Sequence, residues 1–420
     1  MNNIKKITIY FICCTSLFLG LLFDENSSGG AKIDHTYLIP FIENFSINFK
    51  NGFQLFIGQS FTLIHSPVFY LITGFFLKIT QNILVVKILY LLLSCSIPYI
   101  FFLIIKTKYE IKTDYLFYFS LLFFLSPYFR SSAIWLLGDN LSLIFFSLSV
   151  LFFLKINFNK DKIINYYLCF TFLILCSYIR YYYCIFSIYY LIYFYRNLTL
   201  KDFFKILIFS FFLSIPAFYY LFYVATQFNF FGAISTFGTL NYYTNALIIL
   251  SIFLFYLFPF ILKDSFLIFD FYKKKYKNIL LIFLIFLIIY LIDKFYFPNM
   301  INFSTRGGGI FIKISEVFNL DKSLFLSLIA FIGLIVIDYL FKDNRFENYT
   351  LLIILILCFP LFSFFQKYLD PLYYFFFFCL VKSNYLKQTF LNETISLKFV
   401  YLYHTSFFLF SLIYYYKVVQ

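Results

Sequence analysis

Long apolar runs, one after another from residue 4 to residue 416 and parted by short segments that carry lysine, decide what this chain can fold into. In lipid, only helices and closed barrels satisfy their own backbone groups, and about 20 apolar residues carry a helix across ~30 Å of hydrocarbon. Runs lie at roughly 1–23, 84–105, 115–129, 139–154, 164–179, 182–195, 203–223, 245–262, 279–295, 323–341, 348–364, 371–381 and 398–416. The expectation is an all-α polytopic membrane protein with about 11–13 transmembrane helices, one transmembrane domain over 1–420. Only 12% of the 420 residues are charged, against about a quarter in soluble domains, so an aqueous fold is excluded.

The net charge of +14 does not point to nucleic acid, because no soluble basic domain is present to bind it. It sorts the loops instead. Segments 1–6, 106–114, 155–163, 196–205, 263–278, 342–347 and 382–398 hold 21 of the 33 Lys and Arg, which makes them cytoplasmic by the positive-inside rule. Residues 24–83 then form the first outer loop and 296–322 a second, with the first run reading as a signal anchor in the cell membrane. The eight cysteines sit mostly inside apolar runs without C-x-x-C spacing and read as small hydrophobes, not as a disulfide or zinc framework. The 70 Phe and 40 Tyr accompany abundant Ile, Lys and Asn, which reads as coding bias rather than function.

Within the first outer loop, the apolar pieces 53–64 and 68–79 are each too short to cross, and helices lying in the interface are expected there. Ser66 suits a cap and Pro67 a first helical turn for the second of them.

Ionisable groups beside membrane spans are costly, so each needs a reason. Alternation of the spans places Asp34, His65, Arg130, Asp139, Arg180, Arg306, Lys367 and Asp370 together at the outer surface. A carboxylate there can take a proton from a hydroxyl, and a guanidinium grips phosphate through two parallel hydrogen bonds. Arg306 precedes Gly307-Gly308-Gly309, whose amides are free to approach a phosphate. Plainer readings stand beside these: Asp34 as a loop acid, Asp139 as a helix cap rivalled by Asn140, the arginines as snorkelling side chains. Lys367, Tyr368 and Asp370 read equally as a salt-bridged helix entrance or a lipid-phosphate clamp. No Walker loop, G-x-G-x-x-G, H-E-x-x-H or G-x-S-x-G occurs.

Four short segments carry a resemblance: Asp34 in KIDHTYLIPFIENF, His65-Ser66-Pro67-Val68-Phe69-Tyr70, Trp135-Leu136-Leu137-Gly138-Asp139, and Lys367-Tyr368-Leu369-Asp370-Pro371. In their order and spacing the chain resembles the polytopic GT-C glycosyltransferases, among them the protein O-mannosyltransferases and the aminoarabinose lipid A transferases. The resemblance implies inverting transfer of a sugar from a polyprenyl-phosphate donor to a lipid-linked glycan or other extracytoplasmic acceptor. Asp34 would be the catalytic base, and His65, Asp139, Arg180, Arg306, Lys367 and Tyr368 would bind substrate and phosphate. A single Asp followed by His, where many relatives have Asp-Glu, leaves open a divalent metal (Mg²⁺ or Mn²⁺) on Asp34 and Asp139.

Two other functions fit parts of the pattern. An O-antigen or capsule polymerase also joins lipid-linked sugars, but calls for a longer late outer loop than 296–322. A lipid-linked-sugar flippase calls for charges at mid-membrane and an internal repeat, and the sequence has neither.

Overall fold

The computed structural model describes residues 3–58, 66–111, 114–158, 162–227, 242–295, 307–359, 364–394 and 396–418. Among the described residues all regular structure is helical, and no strand occurs. Seven helices are long and apolar enough to cross a membrane: Ile4–Leu22, Ile83–Tyr109, Gly138–Ile156, Leu200–Tyr220, Tyr242–Lys273, Lys322–Phe341 and Leu397–Tyr416. Shorter apolar helices include Val68–Thr80, Asp114–Leu125, Ile163–Ile179 and Ile279–Leu291. The chain is an all-α, multi-pass membrane protein.

Several expected spans give helices shorter than a crossing requires, among them 182–195, which holds the 12-residue helix Phe186–Asn197, and 371–381. The run 371–381 folds into a four-residue helix, Leu372–Phe375, continued by a five-residue π turn, Phe376–Leu380. At 1.5 Å per residue this covers roughly 14 Å, about half the hydrocarbon core. Its aromatic side chains are buried on all sides, so its apolar character serves internal packing rather than lipid contact.

Two compact units make up the chain, Met1–Ala233 with Tyr401–Gln420, and Ile234–Val400. In the first, the outer loop holds helices Ala31–Ile47, Phe49–Gly58 and Val68–Thr80. The last two cover 53–58 and 68–79 of the stretches where interfacial helices were expected, and 59–65 lies outside the described residues. Ala31–Ile47 falls outside the apolar runs of the sequence. Its buried residues Ala31, His35, Leu38, Ile42 and Phe45 recur every three or four positions, a narrow apolar stripe that polar residues interrupt in the linear sequence. This stripe packs on Val68–Thr80 at Gly74, where a Cβ would stand 2.8 Å from Phe45 Cβ. Pro67 sits just before Val68–Thr80 rather than inside it, and Ser66 Oγ accepts a hydrogen bond from the Val68 amide at 3.3 Å.

Polar contacts mark the two ends of this unit. At one end Lys6 pairs with Asp114, which joins segments 1–6 and 106–114. At the other, Glu25 pairs with Arg130, and Ser27 Oγ donates to Pro127 O at 3.0 Å. Each contact joins segments that alternation of the spans had put on one side.

The second unit shows the same sorting. Asn348 Nδ2 donates to Lys382 O at 2.8 Å while Asn348 Oδ1 accepts from Lys382 N at 2.9 Å. Asp338 accepts from Tyr272 and Tyr349, both at 2.8 Å, and from Arg345 at 3.1 Å. Tyr385 donates to Asp264 at 2.8 Å. Together these tie 263–278, 342–348 and 382–385. At the opposite end, Gly308 N donates to Phe364 O at 2.7 Å and Ile310 N to Gln366 Oε1 at 3.1 Å.

Candidate active site in the first unit

Asp139 owes its position to a tightly bonded reversal of the chain. Ser126 Oγ caps the helix Pro127–Ile134 by accepting from Phe129 N, and Leu136 then turns the backbone through a left-handed conformation, φ +52°. Three side chains brace the residues just after this turn. Ser132 Oγ donates to Leu137 O and accepts from Asn140 N, both at 3.1 Å. Tyr90 Oη donates to Leu137 O and accepts from Leu141 N. Asn140 Nδ2 donates to Phe129 O at 3.0 Å. The helix Gly138–Phe158 therefore begins with Asp139 already in its first turn.

Asp139 stands inside the first turn rather than at the cap position of the alternative reading. Its Oδ2 accepts from Arg180 Nη2 at 2.8 Å, with the two side chains only 16% and 10% exposed. Arg180 comes directly after the helix Ile163–Ile179 in extended conformation, and this change of backbone direction presents its side chain to Asp139. An ion pair so removed from water gains Coulomb strength, but only while both partners remain.

Asp34 stands in the first turn of Ala31–Ile47, half-buried between buried Ala31 and Leu38, where a negative charge complements the helix dipole. One hydrophobic cluster joins its helix to residues flanking the ion pair: Phe41 and Ile42 from that helix, Phe69 and Tyr70, then Leu137 and Ile179, near Asp139 and Arg180 in sequence. Gly138 allows this approach, since a Cβ there would meet Ile179 at 3.2 Å and Phe69 at 3.5 Å.

Arg130, which the sequence grouped with these residues, does a different job. Its Nε donates to Glu25 at 2.8 and 3.1 Å, its Nη1 to Ser16 Oγ at 2.9 Å and Phe124 O at 3.2 Å, and its Nη2 to Ser16 O at 3.0 Å. Phe408 lies 4.8 Å away over its face. The guanidinium is consumed in joining the first helix to Pro127–Ile134.

His65 and Arg306 lie outside the described residues. The glycines after Arg306 turn inward: Gly307, Gly308 and Gly309 have φ of +96°, +81° and +79°, and a Cβ on Gly307 would stand 2.5 Å from Phe364 O. The Gly308 amide, expected to approach a phosphate, is bonded to Phe364 O. In that second unit Lys367 lies over the Phe365 ring at 5.4 Å and Tyr368 stacks on Phe359 at 5.6 Å. Asp370 is buried and accepts from Tyr256 Oη at 2.7 Å, so it is not the surface acid expected.

Sequence reasoning missed a group around Trp135. His35, within the 24–83 segment, is only 4% exposed, and burial with the Lys87 charge lowers its pKa to about 4, leaving it neutral at pH 7. Lys313, on the helix Gly309–Val317, is lowered to about 8 by burial, against the opposing charge of Glu316. Neither has a signature in linear sequence, because burial depends on neighbours far along the chain.

No three His, Cys, Asp or Glu side chains converge among the described residues, and Asp139 already faces a guanidinium. No family model, curated protein or solved structure matches the chain.

Proposed function

We propose that the protein is a membrane glycosyltransferase, moving a sugar from a polyprenyl-phosphate carrier to a lipid-linked glycan or other acceptor at the extracytoplasmic face of the cell membrane. The buried Asp139–Arg180 pair, flanked by Leu137 and Ile179 of the cluster that also holds the helix of Asp34, is the observation that carries this reading. A general base and a fixed cation near one membrane surface are what attack on a lipid-phosphate sugar requires.

In the proposed reaction Asp34 accepts the proton of the acceptor hydroxyl as its oxygen bonds to the anomeric carbon. The bond from that carbon to the phosphate oxygen breaks, its electron pair leaves with the phosphate, and the anomeric configuration inverts. Asp139 positions Arg180, whose guanidinium stabilises the charge building on the departing phosphate. A lipid donor held in the bilayer accounts for an enzyme without a nucleotide-binding loop.

Transfer of labelled sugar from a synthetic polyprenyl-phosphate donor, in membranes holding equal amounts of each variant, tests the assignment. Asp34→Asn keeps the side-chain shape and removes the base, and turnover is expected to fall by about 10²-fold or more. Activity at the wild-type level in this variant removes Asp34 from the chemistry.

A further inference from the structure

Two ammonium groups lie against the ring of one tryptophan. Lys32 Nζ lies 5.3 Å and Lys87 Nζ 4.9 Å from the ring centroid of Trp135, and the His35 ring lies 5.8 Å from it. Trp135 is fixed from behind, its Nε1 donating to Glu25 O at 2.7 Å. An indole face attracts cations but neutralises neither, so the two lysines repel one another across it. Among the described residues Lys32 pairs with Asp24 at 3.5 Å while Lys87 makes no ion pair, so positive charge is in excess there.

His35 adds the second observation. It is buried, and the main chain of Trp135 approaches its ring without hydrogen-bond geometry at either nitrogen; neither finds a partner among the described residues. A neutral imidazole has one donor and one acceptor, and burying both unbonded costs free energy that a bound oxyanion or its hydroxyl would recover.

The surroundings identify the ligand's other half. Lys87 sits one turn inside the span Ile83–Tyr109, roughly 6 Å below its start, at the depth of a headgroup. Its helix exposes Leu84, Val85 and Leu89, and the helix of Lys32 exposes Ile33 and Tyr37. A cationic patch edged by exposed apolar side chains matches an anionic head on a hydrocarbon tail. We infer that Lys32, Lys87, His35 and Trp135 form a clamp for the phosphate headgroup of a membrane lipid. The clamp stands apart from the transferase reading, since its occupancy requires no sugar transfer.

The full chain, purified in detergent, is titrated with a short polyprenyl phosphate, with phosphatidylglycerol, with the uncharged polyprenol and diacylglycerol, and with inorganic phosphate. At least one lipid phosphate is expected to bind tenfold or more tightly than its uncharged partner. Lys32→Gln and Lys87→Gln should each weaken it about fivefold, the effect of one surface cation on an anionic headgroup, while Lys87→Arg retains it. His35→Phe should weaken binding with both lysines present. The clamp is overturned if charged and uncharged lipids bind alike, or if Lys32→Gln, at an exposed side chain whose loss leaves the fold intact, has no effect. Inorganic phosphate binding as tightly as the lipid would overturn the lipid assignment.

Discussion

Arginine appears five times in this chain, and two of the five are locked in buried pairs with contrasting uses. Arg130 spends its donors on Glu25, Ser16 and Phe124 and acts as a staple. Arg180 is held by Asp139 beside the helix of Asp34. Because both members are out of water, removing one strands the other. Asp139→Ala is expected to cost about 3–5 kcal/mol of stability. Adding Arg180→Met should recover part of that loss, because the stranded cation is gone. Thermal unfolding of the two single variants and the double variant measures the coupling. Additive effects would show that the pair contributes nothing of its own. The acid was visible in Trp135-Leu136-Leu137-Gly138-Asp139, but its partner was not, since 41 residues separate them.

Helix pairs in this protein approach closely wherever a glycine removes the side chain between them. Gly333 lies where a Cβ would stand 2.5 Å from Leu250 O, so the helices Lys322–Phe341 and Tyr242–Ile261 meet backbone to side. Gly74 does the same for the outer-loop pair, with Ile42 O 3.0 Å from the position of a Cβ. Gly74→Val should therefore push Ala31–Ile47 off Val68–Thr80, at a cost of about 1–3 kcal/mol, with faster proteolysis in the loop. Unchanged melting and unchanged cleavage of this variant would mean that the two helices do not depend on one another. Long elements were legible because twenty apolar residues in a row admit few structures. Ala31–Ile47 was not, since its stripe is only a few residues wide and carries Asp34, Glu43 and Pro40 between the buried positions. The carbonyl of Pro40 accepts from Asn44 Nδ2 at 2.8 Å, a contact that the sequence does not advertise.

At the scale of the molecule, lysine spacing had sorted the loops to two sides, and the contacts within each unit agree with that sorting. Lys6 meets Asp114, Asn348 meets Lys382, and Gly308 meets Phe364, each joining segments assigned to one face. The short buried turn at Leu372–Leu380 does not upset this, because the Asn348–Lys382 bonds return the chain to the side it left. Alternation was legible because charge is read one segment at a time; the depth reached by each run was not, because burial inside protein and burial in lipid look alike in composition. The cytoplasmic side is assigned by the positive-inside rule and is open to direct measurement. In a cysteine-free background, Lys50→Cys, on an exposed side chain of the outer loop, should react with a membrane-impermeant maleimide in intact cells. Lys274→Cys, equally exposed at the lysine-rich turn, should react only after the membrane is opened. The reverse pattern would put Asp34, Asp139 and Arg180 on the cytoplasmic face, where an extracytoplasmic acceptor never arrives, and the transferase proposal would fail with it.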